Sequence, residues 1–157
     1  MTGSSISRLI AANRVLGDLP PEFIDSLAEH AIERELAQGE VVFRHGESAE
    51  TFYIVRQGTV AVEVAAIEGP PLVLQRLDEG ALLGWSWLIP PYRWNFQARA
   101  ETPVQVVEFD GRAVREHCEQ DPRLGYEILK RFTGLMSERL DEARTRMMEE
   151  WSPSGFA

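Results

Sequence analysis

Between residues 32 and 110 the chain breaks into short runs rich in β-branched and aromatic residues, VVF, TFYIV, TVAVEV, LVLQRL, WNFQARA and VQVVEF, with glycine recurring between them. Gly39 precedes the first run, Gly46 follows it, Gly58 follows the second, and Gly80 and Gly84 stand before the fifth. Short runs of this composition bounded by turn residues are strands. Glycine supplies the positive φ that tight turns between neighbouring strands require. The pattern predicts a compact antiparallel roll or barrel. Gly69-Pro70-Pro71 separates two of the runs and predicts an exposed hairpin loop, because proline cannot donate to a strand ladder.

On either side of this block the apolar period becomes helical. Residues 5–16 carry Ile6, Leu9, Ile10 and Val15 at helical spacing, and residues 21–31 open on a proline where a first helical turn tolerates one. After residue 110 the pattern predicts a short helix over 111–119 and a long one over 122–151. In the long helix Leu129, Phe132, Met136, Leu140, Ala143, Met147 and Trp151 follow steps of three and four and draw one apolar stripe. Two readings fit that stripe: a cover packed on the roll, or a helix whose distal half pairs with its twin in a homodimer. The length of the helix favours the dimer.

A chain of 157 residues is the size of one ordinary domain. The expected division is N-terminal helices over 1–31, a roll over 32–110 and C-terminal helices over 111–151. The composition, 44% hydrophobic and 26% charged, is that of a soluble globular protein. No apolar run approaches the roughly 18–20 residues of a membrane helix, and the first residues lack the layout of a signal peptide. The expectation is a cytoplasmic protein that does not engage a membrane. A net charge of −9 opposes nucleic acid, whose phosphates are held by clustered lysine and arginine.

Catalytic and metal chemistry finds little support. A single cysteine, Cys118, supplies neither a disulfide framework nor a thiolate metal cluster, and it reads as a small buried helix residue. His30, His45 and His117 lie on separate elements, so no metal site is expected. No P-loop, dinucleotide fingerprint or nucleophile elbow is present. The many carboxylates read as solvated surface. The chain is expected not to be an enzyme and to carry no cofactor.

The stretch LAQGEVVFRHGESAETFYIVRQGTV, residues 36–60, closely resembles the first half of the cyclic-nucleotide-binding domain found in catabolite-activator-like regulators, protein kinase regulatory subunits and gated channels. The likeness covers about residues 15–150. It implies an α+β, mainly β fold: an antiparallel, jelly-roll-like eight-stranded β-roll whose concave face holds the ligand, flanked by N-terminal helices and closed by a long C-terminal helix. The family's phosphate-binding cassette falls at GWSWLIPPYRWN, residues 84–95. The resemblance places Gly84 and Arg93 at its anchor positions, with backbone N–H groups and one arginine holding an anion. Trp85 stands where the family has a ribose-binding glutamate, and Trp94 and Asn95 follow the arginine in place of small residues.

Three tryptophans, Trp85, Trp87 and Trp94, crowd this segment. Either they fill a degenerate pocket as ordinary core, or they wall a site for a different flat or anionic ligand, with Ser86 and Asn95 adding hydrogen bonds. Alignment of the long helix brings Arg144 to the place where the family caps the base, and there it can stack on a ring. Relatives that regulate transcription continue into a helix-turn-helix, which this sequence does not show. The resemblance therefore implies a non-catalytic small-ligand sensor or regulatory module without a DNA-binding domain. Its expected ligand is a cyclic nucleotide or another anionic small molecule, and its expected partner is a second copy or another protein. The alternative is a ligand-free structural domain with a tryptophan-filled pocket.

Overall fold

The computed structural model describes residues 3–150. Two short helices, α1 (Gly3–Ala11) and α2 (Pro21–Glu29), lead into eight strands: β1 (Ala31–Leu36), β2 (Val41–Phe43), β3 (Thr51–Gln57), β4 (Val60–Val64), β5 (Leu72–Leu77), β6 (Leu82–Leu83), β7 (Gln97–Ala100) and β8 (Val104–Asp110). Two helices close the chain, α3 (Gly111–Gln120) and α4 (Pro122–Glu150). The strands form two four-stranded antiparallel sheets, ordered β1-β8-β3-β6 and β2-β7-β4-β5. This is the expected α+β, mainly β roll. Two strands escape the sequence pattern: β1, four of whose six residues are exposed, and β6, only two residues long. In β1 an edge strand carries charge outward, and Arg34 donates to Glu108 of β8 at 2.7 Å.

The first helix stops earlier than its apolar spacing suggests. Asn13 accepts hydrogen bonds from the N–H groups of Val15 and Leu16 and donates to the Gly80 carbonyl at 2.9 Å. Its short side chain satisfies backbone groups that another helical turn would need, and it ties the N-terminal segment to the turn before β6. The fifth run forms a strand only over Gln97–Ala100, with Trp94 to Phe96 outside the ladder.

A stack of aromatic rings joins the roll to its cover. Phe52 of β3 faces Phe109 of β8 at 4.5 Å, nearly parallel, and their Cα positions pair directly across the ladder. Trp87 stacks on the same ring at 4.7 Å, and Phe132 of α4 meets Phe52 and Trp87 edge-on at 5.6 and 5.3 Å. All four rings are fully buried. Leu124, Ile128, Phe132 and Leu135 form the buried face of α4. This corrects the dimer reading for Phe132: its ring lies in the molecule's own core and is inaccessible to a second copy. Leu129, Leu140 and Met147 of the same stripe are exposed, and Trp151 lies outside the described residues. Ion pairs hold α4 along the N-terminal segment, Arg131 to Asp18 and Arg14 to Glu138, both at 2.9 Å.

Among the described residues no helix is long and apolar enough to cross a membrane. No three His, Cys, Asp or Glu side chains among them come close enough to hold a metal ion.

Replacing Phe132 with alanine removes both edge contacts and leaves a cavity, so Phe132→Ala should cost about 3–5 kcal/mol in urea unfolding. Leu129→Ala, on the exposed side of the same helix, should cost less than about 1 kcal/mol. Alkaline titration gives a second check. Burial pushes the Tyr53 phenol from 10.0 up to about 12, although the Thr51 hydroxyl at 2.8 Å works the other way. The unfolded chain then loses that proton first as pH rises above 10, so stability should fall between pH 10 and 12, by up to about 2 kcal/mol. Tyr53→Phe should lack this loss.

Candidate ligand-binding cavity

The segment after β6 turns sharply at Gly84, which has φ +99°. A Cβ there would meet the Trp94 ring at 2.9 Å, so only glycine lets that indole lie so close. Trp87 then tucks into the core and donates through Nε1 to the Gly84 carbonyl at 3.1 Å. The end of the segment is strapped to residues 46–49: the N–H of Trp94 donates to Glu47 O, that of Gly46 to Trp94 O and that of Ala49 to Tyr92 O, at 2.8–3.0 Å. These bonds force the Trp94 ring inward, where it stacks flat on Phe43 with centroids 3.7 Å apart and planes 7° apart.

A cavity of about 220 Å³ remains between this segment, the concave face of the roll and α4. Gly84, Trp85, Ser86, Trp94 and Asn95 line it, as do Phe43, Val62 and Leu74 from the strands. Met136, Leu140 and Ala143 line it from α4. The sequence pattern puts those three helix residues in the stripe expected to form a dimer. They face the cavity instead, because α4 runs across its mouth.

Two predicted binding residues lie elsewhere. Arg93 is exposed and absent from the lining; its Nη1 donates to the Gly46 carbonyl at 3.0 Å. The straps around it turn Trp94 inward and Arg93 outward, since neighbouring residues in extended chain face opposite ways. Arg144 is exposed and outside the lining, one helical step from Ala143.

The cationic residues that do line the cavity are Arg139 and Arg146. Arg139 was missed by sequence reasoning. The signal was its spacing, three residues after Met136 and four before Ala143, which puts it on the cavity face. Its Nη2 donates to the Leu82 carbonyl, and its guanidinium lies 5.4 Å over the Trp85 ring. Burial pulls its pKa down from 12.5 to about 10, against the opposing pull of Glu142, so it stays charged at neutral pH. The three tryptophans thus divide: Trp87 is core, Trp94 seals the Gly84 side, and Trp85 walls the remaining space.

The fold and the cavity together define a class, a β-roll whose ligand-sized space is closed by a C-terminal helix. A family model described as cyclic nucleotide-binding domain matches residues 33–121, more than half of the chain, and the chain belongs to that family. It is 30% identical over 100 residues to the cAMP-activated global transcriptional regulator CRP of Salmonella typhimurium, an alignment covering 63% of this chain and 46% of that protein. The chain therefore spans about half the length of this curated relative. A 64-residue stretch, 41% of this chain and 19% of the other protein, is 33% identical to acetyltransferase Pat of Mycolicibacterium smegmatis. Among solved structures, a putative cyclic nucleotide-binding protein from Geobacter metallireducens superposes with a TM-score of 0.78 at 27% identity, covering 87% of this chain and 98% of that one. The regulatory domain of Toxoplasma gondii PKA, crystallised with cAMP, shares the fold with a TM-score of 0.71 at 19% identity, over 87% of this chain and 50% of that one.

Because Trp94 holds Phe43 and closes against Gly84, Trp94→Ala should cost about 3–5 kcal/mol in thermal or urea unfolding. Arg93→Ala, which removes one exposed hydrogen bond, should change stability by less than about 1 kcal/mol. A severe loss in the arginine variant would mean that the anchor does more than hold a surface turn.

Proposed function

We propose that the chain is a non-catalytic, cytoplasmic regulatory module that senses a small anionic ligand and reports its occupancy through α4. One observation carries this reading: the cavity wall is shared between the roll, at Leu83 to Ser86, and α4, at Met136, Arg139, Leu140 and Ala143. A ligand seated there touches the rigid roll and the helix at once, and that differential contact is what turns binding into a shift of the helix. The family's regulatory and sensor domains support the same reading. The match to an acetyltransferase spans 19% of that protein, a stretch of 64 residues, and is too small to argue for a catalytic domain here.

The signal passes to a partner protein or to a second copy. Leu129 and Met147 leave exposed apolar side chains on α4 that support a homodimer. A second reading, a ligand-free structural domain, draws on the flat packing of Trp94 against Phe43 and Gly84, which closes the side where the family's cassette would hold a phosphate.

Calorimetry against cAMP, cGMP and a panel of anionic metabolites separates the two readings. The sensor reading expects at least one to bind and to slow amide hydrogen exchange over residues 136–143 by about tenfold relative to the start of α4. Heat without that protection would sink the role of the helix. No heat from any compound would favour the structural domain.

A further inference from the structure

The chemistry of the cavity narrows its ligand, on the reading above that the space is a binding site. Arg139 reaches this space with no carboxylate in contact with its guanidinium. Its two acidic neighbours on α4 are engaged elsewhere: Glu138 accepts from Arg14 at 2.9 and 3.0 Å, and Glu142 accepts from Gln75 Nε2 at 2.7 Å. Among the described residues no carboxylate lies within 4.0 Å of the Arg139 guanidinium. A guanidinium carries five N–H donors, and the Leu82 carbonyl takes one. The donors left over are accessible and can pair with an anion that enters the space.

The remaining wall is mostly apolar and aromatic, with Trp85, Phe96, Leu74 and Leu140 around the space and Gln75, Ser86 and Asn95 as its neutral polar residues. Two guanidiniums, Arg139 and Arg146, and one carboxylate, Glu142, give the lining a net charge of +1. That balance suits one negative charge and repels a second. At about 220 Å³ the cavity is also smaller than the roughly 300–1,000 Å³ typical of drug-sized ligands. The Trp94 ring already occupies the ground beside Gly84.

We propose that the cavity takes a small, flat hydrophobic monoanion, an aromatic carboxylate, whose carboxylate pairs with Arg139 and whose ring packs against Trp85 and Leu140. Such a ligand completes the guanidinium's hydrogen bonds and buries its body in the apolar wall. A cyclic nucleotide is larger and more polar, and the Trp94 ring stands beside the turn where its phosphate would sit.

The test uses 2-naphthoate, its neutral isostere 2-naphthamide, and cAMP, titrated by calorimetry into the full chain. Naphthoate should bind, naphthamide should bind about tenfold more weakly, and cAMP should give no heat. In Arg139→Gln the acid should fall to the affinity of the amide while the amide is unchanged, and that unchanged amide shows the variant folded. Ala143→Phe, which keeps the arginine and fills the space, should abolish binding of both naphthalenes. Equal affinities for acid and amide in the native chain, an acid-to-amide ratio preserved in Arg139→Gln, unchanged binding in Ala143→Phe, or no naphthoate binding at all would each overturn the proposal. If cAMP binds and protects residues 136–143 while naphthoate does not, this inference fails and the sensor reading stands. Naphthoate binding that leaves those amides unprotected has the reverse meaning.

Discussion

The contact between Phe52, Trp87 and Phe132 is the constraint on which the rest of the molecule depends. It brings one ring from a strand, one from the segment after β6 and one from α4 into a single fully buried cluster. Rings of this size dominate core energetics and hold defined stacked and edge-on geometries. With Trp87 locked inside, the neighbouring Trp85 is left to wall the cavity. With Phe132 locked inside, the positions one, two and three turns later, Met136, Leu140 and Ala143, run across its mouth. The position of the cavity is therefore a consequence of core packing.

A second constraint acts at Gly84 and Trp94. The indole lies where any side chain on residue 84 would collide, and Phe43 backs it at 3.7 Å. In this chain an aromatic plane thus stands beside the turn that the family resemblance assigns to an anion. The charge in the cavity comes from the other side, from Arg139 on the covering helix. On the proposed reading, an anion held by Arg139 would contact the covering helix directly and so couple binding to it.

Much of the fold was legible in the chain. Glycines between short β-rich runs marked the roll, and Gly39, Gly46, Gly58, Gly80 and Gly84 all adopt positive φ. The change to helical periodicity marked α3 and α4 nearly to their ends. The strands that escaped notice were β1, whose exposed charged face carries no apolar alternation, and β6, too short to show any. The site was half legible: Gly84, Trp85, Ser86, Trp94 and Asn95 line the cavity, while Arg93 and Arg144 do not.

By itself, then, the sequence determined the β-roll with its helical flanks and the membership in a family, because glycine spacing and apolar period act over a few residues and survive in one dimension. Only the tertiary structure decided which arginine serves the cavity and which part of the α4 stripe faces inward. Arg93 and Arg139 are equally polar as letters. Their difference lies in the straps at residues 46–49, which turn one side chain to solvent, and in the Phe132 anchor, which lays the other over the roll. Those contacts join residues far apart in the chain, and such pairings leave no local mark in the sequence.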